Sequence, residues 1–188
     1  VIMMVIAALL TSLCIAREWE RGTMEQLIAT PVKTPELILG KMAPYFLIGF
    51  IDMGLSVTMA VLLFGVPFKG SLFLLTVISG VFLFGGLSFG IIISIITKSQ
   101  LVSSQISVVT TYLPAFLLSG FMFSISNMER PLQVLTRIVP ARYFVAILKG
   151  LFLKGSSVRF LIADTIFLLI FAVVTFAVAN RKFEKRIG

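Results

Sequence analysis

Long runs without a charged residue constrain this chain more than any other feature of its sequence. Residues 70–97 contain no Asp, Glu, Lys or Arg, and neither do residues 99–121. A helix needs about 20 mostly apolar residues to cross the roughly 30 Å hydrocarbon core of a bilayer. Because backbone polar groups must pair inside the segment in lipid, runs of this length are predicted to be helices. The sequence therefore predicts a polytopic integral membrane protein of the all-α class.

The composition excludes two other classes of chain. Hydrophobic residues make up 59% of the sequence and charged residues 13%, whereas a soluble domain is about 45–50% apolar and about 25% charged. A soluble globular enzyme and a disordered chain are therefore excluded. The formal net charge of +8 is carried between and after the apolar runs, so the lipid bilayer, and no nucleic acid, is the expected partner of the basic residues.

The sequence offers no means of covalent chemistry. It contains no His and a single Cys, which excludes histidine catalysis, histidine metal sites and an intrachain disulfide. Phosphate-binding loops of the Gly-x-x-x-x-Gly-Lys-Ser/Thr type, Gly-x-Gly-x-x-Gly loops and Gly-x-Ser-x-Gly turns are also absent. We expect no catalytic residue, no metal site and no bound cofactor, and we do not expect an enzyme.

We predict one transmembrane domain over residues 1–188 with about five spans. The spans are residues 1–16, 42–66, 70–97, 99–121 and 160–180. The other segments are a charged loop at 17–41, an outer re-entrant or interfacial region at 122–159 and a basic tail at 181–188. The first span is short, and no basic region precedes it as in a signal peptide. We therefore expect the chain to begin inside a span, as a fragment or a processed product.

The loop at 17–41 is predicted to contain two helix starts. Thr23 with Gln26 three residues later forms a capping-box pattern, which predicts a short helix to about residue 30. Thr34, followed by Pro and Glu, is typical of a second start. We predict an interfacial helix, a break at Pro31 and a helix that runs through Lys41 into the next span.

The distribution of basic residues leaves the orientation open. With five spans, the loop at 17–41 and the tail at 181–188 lie on the same side and carry slightly more Lys and Arg than the other side. The positive-inside rule favours that side as cytoplasmic. The margin is too small to decide the topology by itself.

The most charged part of the loop, residues 17–27, has two interpretations. It places several charges and Trp19 next to the end of a span. It can be a solvated loop with an interfacial tryptophan anchor. It can also be a docking helix for a cytoplasmic partner, which the predicted helix cap favours.

Polar residues inside the spans are candidates for a translocation path. Asp52 lies in the middle of a span, where an ionisable group costs about 2.5–3.5 kcal/mol unless it faces protein or water. A polar stripe in the fourth span, ahead of Pro114, has spacings of four, three and four residues. Its members are Gln100, Ser104, Ser107 and Thr111. Each feature can instead be structural, through hydrogen bonds between helices.

Small residues recur on one face of the third span. They are Gly86, Gly90 and Ser94, at spacings of four residues. Such a row lets another helix approach closely. We interpret it as a packing surface, within the chain or between subunits.

Two motifs resemble one family. The first is REWERGTMEQL at 17–27, followed by ATPV at 29–32. The second is LPAFLLSGFMF at 113–123, which continues to PARYF at 140–144 and LKG at 148–150. In order and separation they resemble the type-2 ABC exporter permeases of the bacterial drug-export-like branch, over essentially the whole chain.

The resemblance implies a topology, a set of partners and a location. Such permeases have six spans, with a large extracytoplasmic domain between the first two, so this chain would lack the first span and that domain. They are multi-pass proteins of the cell membrane, here the bacterial inner membrane, with the tail cytoplasmic. Two permease subunits pair as a homodimer or heterodimer, and two ABC ATPase subunits hold the ATP and Mg²⁺.

The resemblance also assigns roles to residues. The segment at 17–30 matches the coupling helix that contacts the ATPase, and the region at 120–155 matches the outer re-entrant helices. The residues expected to couple to the ATPase are Glu18, Arg21, Gly22, Thr23, Glu25 and Gln26. The chain is then the permease of an ATP-driven exporter, although the sequence leaves its substrate open.

Two other functions stay open from the residues alone. One is an ion-coupled secondary transporter that uses Asp52 and Asp164 as carriers. That class often contains inverted internal repeats, and the sequence shows none. The other is a scaffold protein that uses 17–41 only to dock a partner. Neither alternative explains the two motifs.

Overall fold

The fold of the described residues is entirely helical. The computed structural model describes residues 2–28, 32–68, 70–154 and 158–184. The α-helices are α1 Ile2–Glu20, α2 Thr23–Ile28, α3 Thr34–Leu62, α4 Leu72–Thr97, α5 Gln100–Leu117, α6 Arg130–Thr136, α7 Pro140–Lys149 and α8 Val158–Glu184. A 3₁₀ turn precedes α6 and a π-helical turn, Gly150–Lys154, follows α7. The predicted all-α class is confirmed.

Four of the described helices are long and apolar enough to cross a membrane. They are α1, α3, α4 and the part of α8 from Ile162 to Phe183. The predicted polytopic character is therefore confirmed. The fifth predicted span, 99–121, contains α5 of 18 residues. Its Ser, Thr and Gln side chains lower its hydropathy, so its insertion across the bilayer stays a prediction.

The helices at the charged loop extend further than the charge pattern indicates. α1 continues beyond residue 16 to Glu20, because nothing between them breaks a helix. α3 begins at Thr34 and runs through Lys41 to Leu62, with Pro44 inside it. The predicted break at Pro31 lies outside the described residues. The short helix predicted from Thr23 is observed as α2.

The helix starts in this loop show contacts that the sequence pattern did not indicate. The Thr23 hydroxyl donates to the carbonyl of Glu18 at 3.4 Å, whereas the capping box with Gln26 stays a prediction. The contact forms because α1 reaches Glu20 and Gly22, at φ +70°, turns the chain back toward it. At α3 the N-cap is Lys33, one residue earlier than predicted, and its N–H donates to the Glu36 carboxylate at 3.2 Å.

α4 is the central helix, and two groups of buried side chains pack along it. In one group Phe82 of α4 stacks on Phe144 of α7, with ring centroids 4.2 Å apart. In the other group Ile91 of α4 packs with Met24 of α2 and Ile38 of α3. Met24 is fully buried. The short helix α2 is therefore fixed to the bundle by an apolar anchor.

The row of small residues on α4 lies against α1. A Cβ added at Gly90 would lie 2.9 Å from the Cα of Ala8, whereas a Cβ at Gly86 would be 3.6 Å from the Met4 side chain. The close approach lets the Thr11 hydroxyl donate to the carbonyl of Leu87 at 3.2 Å, besides its own helix. Ser94, one turn further, is buried. The absence of large side chains on this face thus lets the backbones of α1 and α4 approach each other closely.

Candidate functional site

The residues expected to couple to an ATPase lie around the α1–α2 turn. The exposed residues among them are Arg21, Gly22, Thr23 and Gln26, whereas Glu18 is partly buried. Glu25 belongs to α2, and its side chain lies outside the described residues. We call residues 17–28 the docking segment. The side chain of Met24, within the segment, is buried in the bundle. The segment therefore presents polar residues from a fixed position.

An ion pair connects the docking segment to α3. Lys41 donates to the carboxylate of Glu18, and both side chains are about four-fifths buried, at 18% and 22% exposure. Exposed ion pairs contribute about 0–1 kcal/mol, and partial burial strengthens the attraction. Because Glu18 is in α1 and Lys41 is in α3, the pair joins the ends of two spans.

A second set of polar contacts connects the docking segment to α5. One Glu20 carboxylate oxygen accepts the backbone N–H of Gln100 at 2.8 Å, and the other accepts the side-chain amide of Gln100. Arg17 donates to the Gln100 side-chain oxygen at 3.2 Å. A carboxylate at the first residue of a helix is favoured by its free N–H groups and by the helix dipole. We call Arg17, Glu20 and Gln100 the α1–α5 clasp.

The turn between α4 and α5 adds a contact to the same end of the bundle. The ammonium group of Lys98 lies over the Trp19 ring, 4.7 Å from its centroid. Lys98 has a left-handed φ of +54°, which ends α4. A cation over an indole ring is attracted to its face. The end of α1 is therefore held by α3, by α5 and by the turn before α5.

The polar stripe of α5 is divided between two environments. Gln100 lies in the clasp, and Ser104, which is partly buried, donates to Leu101 of its own helix at 2.8 Å. Ser107 and Thr111 are buried. The buried part of the stripe faces α1 and is not open to a path in this conformation.

Sequence reasoning missed Ser12, the partner of the stripe. The Ser107 hydroxyl donates to the Ser12 hydroxyl at 2.8 Å, and Ser103 donates to the Ser12 carbonyl at 3.4 Å. The signal was the pair of hydroxyl residues, Thr11 and Ser12, inside an otherwise apolar run. Interhelical hydrogen bonds of this kind hold α1 against α5.

The bond between Ser12 and Ser107 predicts a measurable coupling. Ser12→Ala and Ser107→Ala are each expected to lower stability, and a double-mutant cycle should give about 0.6 kcal/mol of coupling, the average in membrane helices. Stability can be measured by unfolding in detergent. The matched control is Ser12→Ala with Ser104→Ala, since the Ser104 hydroxyl bonds within α5. Equal coupling in both cycles would contradict the assignment.

Asp52 lies apart from the buried stripe and lines a cavity of about 660 Å³. The walls come from α1, α3, α4, α5 and α7. The lining includes Asp52, Ser79, Tyr112, Phe116, Phe144 and Lys149. A volume of this size is typical of a small-molecule site. Of the five predicted path residues, Asp52 alone lines this cavity.

The second membrane carboxylate is in a different place. Asp164 of α8 is partly buried and is influenced by the charge of Arg142 in α7. Arg142 also donates to the hydroxyl of Thr136. Asp164 does not line the Asp52 cavity. The structure therefore does not bring the two carboxylates to one site.

The region at 122–159 contains short helices with apolar surfaces, and its predicted outer location stays a prediction. The exposed large apolar side chains in its described part are Met122, Phe123, Leu132, Val134, Leu135 and Ile138. Lys149 donates to the carbonyl of Gly120 at 2.7 Å, which joins α7 to the end of the α5 region. Within the described part of the chain, no three Cys, Asp or Glu side chains are grouped to hold a metal ion.

Comparisons with known proteins identify the family of the chain. A family model described as ABC-2 family transporter protein matches residues 1–180. The probable multidrug ABC transporter permease YbhS of Escherichia coli strain K12 is 42% identical over 187 residues, which cover 100% of this chain and 50% of that protein. YbhR, with the same description in the same strain, is 33% identical over 182 residues, covering 95% and 48%.

A third relative is the inner membrane transport permease YhhJ of E. coli strain K12. It is 27% identical over 184 residues, which cover 97% of this chain and 49% of that protein. The chain thus spans about half the length of these relatives. The resemblance to type-2 ABC permeases is confirmed by the family match over nearly the whole sequence. This multi-pass membrane chain belongs to the ABC-2 family of transporter proteins.

Proposed function

We propose that this chain is the membrane-spanning part of a permease in an ATP-driven ABC exporter. The permease moves substrate outward in response to a separate ATPase subunit. The names of its relatives, which are ABC transporter and transport permeases, support this proposal. The multidrug description of two of them supports export of drug-like molecules.

The proposal includes partners and a location. Two ABC ATPase subunits bind the docking segment of a permease pair and hold the ATP and Mg²⁺, so this chain needs no cofactor of its own. The second permease subunit is the same protein or a relative of it. The location is the bacterial inner membrane, with the docking segment and the tail in the cytoplasm.

The observation that carries the proposal is the attachment of the docking segment to two spans. Glu18 connects it to α3 through Lys41, and Glu20 connects it to α5 through Gln100. A rigid displacement of the segment is therefore passed to both helices. The buried Met24 favours movement of α2 and α1 as one body.

The same two helices line the cavity. Asp52 belongs to α3 and Tyr112 belongs to α5. Closure of the ATPase subunits around ATP moves the docking segment, α3 and α5 follow, and the cavity changes shape. ATP can drive this change because it binds the closed ATPase dimer more tightly than the open one.

Co-purification tests the proposed partner. The full-length protein is purified in mild detergent, and bound proteins are identified by mass spectrometry. We expect an ABC ATPase with the parent protein and a large loss with Arg21→Glu, which reverses an exposed charge on the docking segment. Arg137→Glu, an equal change at an exposed arginine after α6, is the control and should retain the ATPase.

Two results would contradict the proposal. One is the absence of an ATPase from the parent preparation under conditions that keep a known ABC complex intact. The other is equal retention by Arg21→Glu and the parent, which would place the contact elsewhere. In the first case an ion-coupled transporter that uses Asp52 becomes the better account.

A further inference from the structure

We propose that the cavity lined by Asp52 is a binding site for hydrophobic organic cations and that Asp52 provides its anionic contact. The proposal rests on the proposed function in one respect, because it names the class of molecule that the permease exports. It concerns binding, however, and can be tested without ATP.

The walls of the cavity combine aliphatic and aromatic side chains. The rings that line it are Tyr112, Phe116, Phe121, Phe144 and Phe152. Tyr112 and Phe116 stack one turn apart on α5, with centroids 5.3 Å apart, and Phe144 is held by its stack on Phe82. Aromatic faces carry partial negative charge and attract both flat apolar groups and cations. The rings are therefore positioned before a ligand arrives.

Asp52 is the acidic group of the cavity, and the described residues leave it without an ion pair. The ion pair found within the described ranges is Glu18–Lys41, at the end of the bundle. A carboxylate in a membrane span is unfavourable unless it meets a cation, a hydrogen-bond donor or water. An apolar cation that enters the cavity would supply the missing charge. This is the charge complementarity on which the proposal depends.

Lys149 is the basic group of the same cavity, and it does not neutralise Asp52. Its ammonium group donates to the carbonyl of Gly120 at 2.7 Å, and its side chain is exposed. Lys149 is the last residue of α7, where the helix dipole favours a positive charge. Its position is thus explained without Asp52. The negative charge stays available to a ligand.

Ser79 lies in the wall of the same cavity. It belongs to α4 and is fully buried, and its hydroxyl has no hydrogen-bond partner among the described residues. Buried hydroxyl groups nearly always have a partner in the protein, in water or in a ligand. Because the Ser79 oxygen is enclosed in this conformation, a bound molecule reaches it only after the wall formed by α4 moves.

The chemistry separates hydrophobic cations from other occupants. A neutral apolar molecule would fill the aromatic space and leave the Asp52 carboxylate with no counter-charge. A hydrophobic anion would be repelled by that carboxylate. The ammonium group of Lys149, which would attract it, already donates to the Gly120 carbonyl. A small inorganic cation would not use the rings. An organic cation with aromatic or aliphatic arms satisfies both parts of the cavity.

Two probes of the same shape and opposite charge test the site. The full-length protein is placed in lipid nanodiscs, and binding of tetraphenylphosphonium is measured by equilibrium dialysis, with empty nanodiscs subtracted. We expect saturable binding that Asp52→Asn weakens about tenfold or more. Asp52→Glu should restore part of it. The matched control is Asp164→Asn, a membrane carboxylate outside the cavity, which should bind like the parent protein.

Tetraphenylborate, the anionic probe of the same shape, tests the proposal without a variant of the protein. The anion should bind the parent protein at least about tenfold more weakly than tetraphenylphosphonium. Equal binding of the two probes, or equal cation binding by Asp52→Asn and the parent, would overturn the proposal. Absence of saturable cation binding would overturn it as well. Co-purification of an ABC ATPase is tested on the same preparation. The two proposals are thereby kept separate, because either can fail while the other holds.

Discussion

Gly90→Val is expected to destabilise the protein by about 3 kcal/mol, the upper end of the usual cost of overpacking. A Cβ at position 90 would clash with the Thr11 hydroxyl and the Ala8 carbonyl oxygen and would lie 2.9 Å from the Cα of Ala8. The Thr11 side chain can rotate, but the Ala8 backbone atoms cannot. α1 must move from α4, and the bond from Thr11 to the Leu87 carbonyl is then lost. Replacing glycine within a helix gains less than about 1 kcal/mol, so the clash decides the sign. Thermal unfolding in detergent measures the effect.

Gly86→Ala is the matched control on the same face of α4. Its Cβ would be 3.6 Å from the Met4 side chain, which is ordinary van der Waals contact. We expect unchanged or slightly higher stability, because alanine favours the helix. Similar losses for both variants would contradict the close packing of α1 on α4 at Gly90.

Glu20→Ala is expected to uncouple the ATPase from the spans without releasing it. The substitution removes both acceptors of Gln100 and so breaks the α1–α5 clasp. The loss of such a helix cap costs only about 0.5–2 kcal/mol, so the protein should still fold. The exposed docking residues, including Arg21, are unchanged. We therefore expect normal ATPase binding together with the loss of ATP-driven movement of α5.

Spin-label distances measure that movement without knowledge of the substrate. Cysteines for the labels replace two exposed residues, Met59 of α3 and Gln105 of α5, in a background with Cys14→Ala. We expect ATP to change the distance in the parent complex and not in Glu20→Ala. Glu20→Gln should retain the change, because its amide oxygen still accepts the Gln100 N–H. A full ATP response in Glu20→Ala would show that the clasp does not transmit the movement.

The long apolar runs, two of which contain a single Asp, were sufficient to predict the long helices of the bundle. Hydropathy decides which segments enter lipid, and the lipid then requires helical backbone bonding. This is why α3, α4 and α8 follow the predicted spans at 42–66, 70–97 and 160–180. The two motifs, at 17–32 and at 113–150, predicted the family, and the family match over residues 1–180 confirms it.

The contacts between helices could not be predicted from the sequence, and Gln100 is the clearest case. Its spacing from Ser104 placed it on the polar stripe, yet it is the first residue of α5, where free N–H groups attract a carboxylate. That carboxylate is Glu20, 80 positions earlier in the chain. The pairing follows from how α1 and α5 pack, which no local pattern determines. The burial of Ser107 against Ser12 has the same origin.

The surroundings of Asp52 were only partly predictable from the sequence. Its position in a span indicated a functional group or a buried hydrogen bond. The cavity around it is formed by residues distant in sequence, such as Ser79, Tyr112 and Phe144. Periodicity in the sequence identifies one face of one helix. The shape of this cavity depends on the relative positions of five helices, which periodicity does not determine.

Photo-crosslinking at Gln26 tests the central claim, that the docking segment binds an ABC ATPase. Gln26 is exposed on α2, so a photoreactive amino acid at this position should leave the fold intact. After irradiation of cells that express the full-length protein, we predict one main protein adduct, identified by mass spectrometry as an ABC ATPase. The same amino acid at exposed Arg137 should not form it. Crosslinking of Gln26 only to lipid or to unrelated proteins, with the ATPase present, would contradict the claim.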